Sequence, residues 1–201
     1  MMKKDIFLTA LAVLSEFAVM LAAVAAVHTS PDCSAYALIQ NLSYISLILA
    51  SLALMRLSGR GMAEFGLRRG GIVRQIALGA AISAAVLLVF AVLGWRPHAV
   101  GGFACLAVSQ ALVALSEELM FRGFILTMLA DNTGRSDRAV LISAAIFGLA
   151  HYPVGQNLSQ VAASFLFGGV FGALRVSLAG RGCEIGIPAL AMAHWTVNVL
   201  I

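Results

Sequence analysis

Ser116-Glu117-Glu118-Leu119-Met120-Phe121-Arg122 decides how this chain is read. The stretch lies inside a mostly apolar run from Phe103 to Ala130, so three ionisable side chains fall near the middle of an expected transmembrane helix. A charge at the bilayer centre costs at least ~2.5–3.5 kcal/mol on insertion scales, and such residues are functional by default. Two later segments carry partners of matching chemistry, Phe147-Gly148-Leu149-Ala150-His151 and His194-Trp195-Thr196-Val197-Asn198. The three segments read as one intramembrane active site, with the rest of the chain as scaffold.

Composition supports a membrane setting. Of 201 residues, 61% are hydrophobic and 11% charged, whereas soluble domains carry about 25% charged residues. Mean hydropathy is +0.98. The expected fold is all-α, a polytopic membrane bundle of about seven helices. It forms a single membrane-embedded domain over 1–201, with the motif-bearing core at about 102–201. The net charge of +4 does not indicate nucleic acid, because the basic residues fall between apolar runs, as topology signals do. Cys33, Cys105 and Cys183 are widely spaced and form no CxxC, so neither a disulfide framework nor a thiolate metal site is expected.

Lys3 and Lys4 precede an apolar stretch, Ile6 to Val27, that exceeds a signal-peptide core and reads as a retained first span. Glu16 sits in it and is read as a bundle-facing group bonded to a neighbouring helix, with a place in the site or in a proton path as the alternative. After a turn at His28–Ser34, a second span runs over Tyr36 to Leu57. The next connection carries Arg56, Arg60, Arg68, Arg69 and Arg74, and its charge places it and the N-terminus on the cytoplasmic side. A third span covers Ile76 to Leu93, followed by an outer turn with Trp95 at the interface and His98 in solvent.

A long fourth helix is expected from Gly102 to Ala130, tilted or extending past the membrane. A short fifth helix from Ala139 to His151 stops at Tyr152-Pro153. The sixth span, Leu158 to Leu178, presents Gly168-Gly169 and Gly172 as a small-residue face. Arg175 near its inner end can snorkel. The last helix starts at Ile185, with Pro188 tolerated in its first turn.

Residues four apart share a helix face, which pairs Glu118 with Arg122, Phe147 with His151 and His194 with Asn198. Arg122 then neutralises Glu118 and leaves Glu117 for chemistry. At 1.5 Å per residue, Glu117 and His151 each lie about 18–20 Å, and Asn198 about 20 Å, from the inner ends of their helices. His194 comes out shallower. If the three helices start in one plane, their polar groups meet in one layer of the bilayer.

A carboxylate beside a histidine can orient and deprotonate water, and a second histidine with an asparagine can donate to the oxyanion of a tetrahedral intermediate. That set suffices for amide hydrolysis. Glu117, His151 and His194 could instead hold zinc with an open position for water, although HExxH is absent. Taken singly, each motif has a plain structural reading: a buried histidine, a salt bridge, a packed Phe147.

Glu117-Glu118-x-x-x-Arg122, Phe147-x-x-x-His151 and His194-x-x-x-Asn198 resemble, in order, the motifs of the CPBP family, the CAAX proteases and bacteriocin-processing or immunity (Abi) proteins. Glu64-Phe65-Gly66-Leu67-Arg68-Arg69 is similar to a stretch common in bacterial members. The motifs cover about residues 112–201. The resemblance implies an intramembrane endopeptidase of a bacterial inner membrane in which Glu117 and His151 activate water. It also implies that His194 and Asn198 stabilise the oxyanion while Glu118, Arg122 and Phe147 shape the site.

The family has been described as both metal-dependent and metal-independent. A Glu–His-bound water explains the residues without a cofactor, and zinc is the alternative. Substrates in the family range from prenylated CAAX proteins to C-terminal sorting anchors. The estimated depth, mid-bilayer or beyond, points to a membrane-anchored protein or peptide cleaved within an embedded segment. A non-catalytic immunity or scaffold protein is the second reading, against which the full polar set argues. A proton-coupled transporter ranks last, because no internal repeat is present.

Overall fold

Apolar length sets the frame of the molecule. The computed structural model describes residues 2–29, 33–68, 71–94, 103–155, 157–177 and 184–200, and its regular structure is helical throughout these segments. The elements are α1 (Met2–Thr29), α2 (Cys33–Ser58), α3 (Ile72–Val92), α4 (Phe103–Glu117), a π-helical segment (Glu118–Ile125), α5 (Leu126–Thr133), α6 (Ser136–Ala150), the single turn α7 (Tyr152–Gly155), α8 (Leu158–Ser177) and α9 (Ile187–Leu200). Because α4, the π segment and α5 run on without a break, the described residues contain seven rods besides the single turn. Four helices, α1, α2, α3 and α8, are long and apolar enough to cross a membrane. The protein is an all-α membrane helix bundle.

Several helix boundaries differ from expectation, and three differences matter for the site. The helix expected over Gly102 to Ala130 changes from α to π at Glu118 and back at Leu126. Helix α3 begins at Ile72, with left-handed Gly71 (φ 70°) before it, so Arg74 belongs to the helix and not to the loop. Helix α9 begins at Ile187, with Pro188 in its first turn. The expected turns at residues 30–32 and 95–98, Arg69 and Cys183 lie outside the described residues.

The π segment is the centre of the bundle. All eight of its residues are buried, and α1, α2, α4, α5, α6, α8 and α9 all touch it. Phe65, from the α2–α3 connection, is fully buried and stacks on Phe124 at 5.7 Å. Lipid tails are as apolar as leucine, so helices associate in a membrane through close van der Waals packing at small residues. The α6–α8 crossing has that form. A Cβ on Gly148 would lie 2.8 Å from the Val161 carbonyl, and one on Gly168 would lie 3.0 Å from the Phe147 ring. Gly172 faces Val140 in the same seam, while Gly169 stands off it at 4.0 Å from Ala144.

One end of the bundle collects the charges. Arg60 pairs with Asp5 of α1 at 2.9 Å and with Asp131 of α5. Arg68 pairs with Glu184 at 2.7 Å. Arg175 donates to the Glu64 carbonyl at 3.1 Å. At this end the Ile187 N–H donates to the Gly66 carbonyl at 3.2 Å, and Gln75 bonds both the Glu184 carbonyl (2.9 Å) and the Gly186 N–H (2.7 Å). Since Gly66 follows Phe65, which stacks on Phe124, α9 starts level with Phe124. That level is about 13 Å in from Thr133 at helical rise. The helices therefore do not share a starting plane, and His194, not Asn198, reaches the depth of the glutamates.

Candidate active site

The site is built where the helix widens. In the π segment the Leu126 N–H bonds Phe121 O, five residues back, and such wide turns recur at functional sites. Ser143 of α6 donates to the same carbonyl at 3.3 Å, tying α6 to the segment.

Glu118 and Arg122 lie on adjacent turns, both sealed from solvent at 0% and 1% exposure, with Nη1 and Oε1 3.1 Å apart. The contact is close but poorly aligned, since neither Nη of Arg122 has a hydrogen-bond acceptor among the described residues. The guanidinium instead lies over the Phe147 ring at 4.1 Å and nearer than 6 Å to Phe171, an attraction that strengthens when desolvated.

His194 Nδ1 sits 2.9 Å from Glu118 Oε1, and its Nε2 faces Glu117 Oε2 at 3.6 Å. His151 Nε2 faces the other Glu117 oxygen at 3.9 Å, while its Nδ1 is 2.8 Å from Phe147 O. A carbonyl only accepts, so His151 carries a proton on Nδ1, and in the neutral ring Nε2 is an acceptor. Glu117 thus has one imidazole against each oxygen. Spacing alone divided the glutamates between separate partners. The structure makes His194 common to both, because imidazole nitrogens sit on opposite edges of the ring.

Phe147, read from sequence as packing, has more contacts than that. Besides carrying Arg122, its ring meets His151 edge-on at 4.5 Å and Phe121 at 4.9 Å, and its carbonyl orients His151. Phe167 and Phe171 of α8, at 5.1 and 6.1 Å, close over His194. The sequence reading missed them, although two phenylalanines four apart on a span form a visible stripe. Asn198 lies one turn beyond His194 and is half-buried. Glu16 is buried as expected, but its Oε2 has no partner among the described residues, so the expected bond to a neighbouring helix is missing for that oxygen. Arg175 is half-buried against Glu64 and Gly66 at the arginine-rich end.

The donor chemistry of Glu117, His151 and His194 suits zinc, and both Nδ1 atoms are bonded elsewhere, as ligating histidines require. As placed, however, no three His, Cys, Asp or Glu side chains among the described residues close on one ion. Oε2 of Glu117 and of Glu118 are buried without partners among the described residues. An orphaned buried acceptor costs about 1–3 kcal/mol, and a carboxylate so placed between two imidazoles can take a proton from water.

A scan against protein families matches residues 99–200, just over half of the chain, to the family described as Rce1-like, type II CAAX prenyl endopeptidase Rce1-like. All seven motif residues fall inside that range. No curated protein and no solved structure matches significantly.

Proposed function

This chain belongs to the Rce1-like family of type II CAAX prenyl endopeptidases, and from that premise we propose that it hydrolyses peptide bonds with a water activated by Glu117 and His151. The observation that carries the reading is the position of Glu117, buried, with His151 Nε2 and His194 Nε2 at 3.9 and 3.6 Å from its two oxygens.

Glu117 removes a proton from water as the water oxygen bonds to the carbonyl carbon. His151 Nε2 accepts a hydrogen bond from the second O–H, which stays on the oxygen, and so fixes the direction of the water. His194 and Asn198 donate to the oxyanion. Glu117 then passes its proton to the amide nitrogen, the C–N bond breaks, and acid and amine leave. No group outside the chain is required for the proton balance. Nδ1 of His194 is engaged by Glu118 at 2.9 Å, whereas its Nε2, 3.6 Å from Glu117, is outside hydrogen-bond distance and is the atom that turns to the oxyanion.

Helix α3, with 21 residues, is about 31 Å long at helical rise and matches the hydrocarbon thickness of about 30 Å. Its first turn lies beside the start of α9, and His194 is seven residues into α9, about 10 Å inward. This argues for a site roughly a third of the way through the bilayer from the arginine-rich end, shallower than the mid-bilayer depth inferred from spacing. By the positive-inside rule that end is cytoplasmic. The substrate that fits is a membrane-anchored protein or peptide whose scissile bond enters just below the cytoplasmic surface.

Proteolysis in reconstituted vesicles tests the mechanism. Membrane-anchored peptides are read by intact mass, comparing wild type, Glu117→Gln and wild type with chelator. Cleavage lost in Glu117→Gln and retained with chelator is expected. Loss with chelator, restored by zinc, would transfer the chemistry to a metal, and full activity of Glu117→Gln would overturn the assignment.

A further inference from the structure

The motif that begins at Glu64 takes no part in the proposed chemistry, yet Glu64, Gly66 and Arg68 line a cavity. This cavity, about 420 Å³, opens at the arginine-rich end between the Glu64–Arg68 turn, the start of α3 and the Glu184–Pro188 segment. Arg68, Arg74 and Arg175 line it, with Glu64 and Glu184.

The two carboxylates are already engaged. Glu64 Oε1 accepts the Gly61 N–H at 2.8 Å, closing its own turn, and Glu184 takes Arg68 at 2.7 Å. Among the described residues, Arg175 hydrogen-bonds only a backbone carbonyl, and its Nε is buried without a partner. The walls hold the guanidinium in place. A Cβ on Gly66, which is left-handed at φ 85°, would come within 2.9 Å of Arg175 Nη2. Gln75 pins the opposite wall through Glu184 and Gly186. The first turn of α3 also opens here, and its N-cap Gly71 supplies no side-chain cap. Unsatisfied N–H groups at a helix start attract anions.

The surroundings indicate which anion. From the cavity mouth, Ile72, Val73 and Ile76 stand outward, 55, 77 and 47% exposed, along the least covered of the four long helices. A soluble anion makes no use of that apolar track, whereas acyl chains do. Basic pockets between helices on the cytoplasmic side suit lipid headgroups.

We propose that this cavity binds the phosphate of an anionic phospholipid, held by the Arg175 guanidinium and the first turn of α3, with the acyl chains lying on Ile72, Val73 and Ile76. The lipid would hold the Gly66–Ile187 junction that sets the level of α9. The proposal is independent of the peptidase reading.

The test uses the full chain in detergent, with bound lipid counted by native mass spectrometry and Tm followed. Phosphatidylglycerol is compared with phosphatidylcholine of the same chains, with inorganic phosphate, and with a short peptide ending in a free carboxylate. Phosphatidylglycerol is expected to be retained selectively and to raise Tm, with affinity falling about fivefold in Arg175→Gln for the loss of one cationic contact. Arg68→Gln, tested alongside, is expected to weaken binding in the same direction should Arg175→Gln fail to fold. Equal retention of the two lipids, or full retention by both variants, would overturn the proposal. So would an equal response to inorganic phosphate, which would mark a free-anion site, or a response to the peptide alone, which would mark a substrate-tail site.

Discussion

His194 and Glu118 are joined across 76 positions of sequence by a 2.9 Å contact between Nδ1 and Oε1, with both side chains buried. Glu118 also faces Arg122 at 3.1 Å, so one carboxylate balances a guanidinium and orients an imidazole. Removing one partner of a buried pair strands the other, at about 3–5 kcal/mol. Glu118→Gln is expected to lose stability in that range and nearly all turnover. Adding Arg122→Met should recover much of the stability and none of the activity, measured by denaturation in detergent together with peptide cleavage.

Phe147→Leu keeps an apolar side chain at the site and removes the ring beneath Arg122. A desolvated cation–π contact is worth about 2 kcal/mol, and a loss of that order is expected in unfolding. The His151 anchor is the backbone carbonyl of residue 147, so residual cleavage should keep the wild-type KM with a reduced kcat.

The α6–α8 seam offers a matched pair of glycines. Gly148→Ala puts a methyl group 2.8 Å from a backbone oxygen, whereas at Gly169 the nearest neighbour is at 4.0 Å. Overpacking costs about 1–3 kcal/mol, so Gly148→Ala should fall in that range. Gly169→Ala should stay within about 0.5 kcal/mol of wild type. Equal effects in a Tm comparison would contradict the seam as described.

Gly66→Ala is expected to destabilise the arginine-rich end. Its left-handed backbone disfavours any side chain by about 1–2 kcal/mol, and the new Cβ would press on Arg175. Faster hydrogen exchange in residues 61–68 and 184–187, with α2 unchanged, would be the signature.

Much of this architecture was legible in the sequence because membrane helices announce themselves by length. The pairing of Glu118 with Arg122 followed from i,i+4 spacing, and the small-residue face of α8 from Gly168 and Gly172. What spacing could not provide was the level at which each helix begins. Helix α9 is set by a backbone bond between Gly66 and Ile187, partners 121 positions apart, and no periodicity encodes such a bond. The π turn was hidden for a related reason. Glu118–Ile125 has ordinary helical composition, and the wide turn is stabilised by tertiary neighbours such as Ser143 on Phe121 O. Arg175 looked like a routine basic terminus until the fold closed a wall around it.

Arg60 joins Asp5 to Asp131, and this joint has a consequence for synthesis. Asp131 is made 71 residues after Arg60, which at about 5–20 residues per second is a delay of roughly 4–14 seconds. During that interval α1 and α2 are in the membrane with Arg60 holding one acid and waiting for the other. The Arg60 clamp cannot close from α1 and α2 alone. It closes when the π-bearing helix arrives, so the step that completes the clamp also delivers Glu117 and Glu118 to the interior.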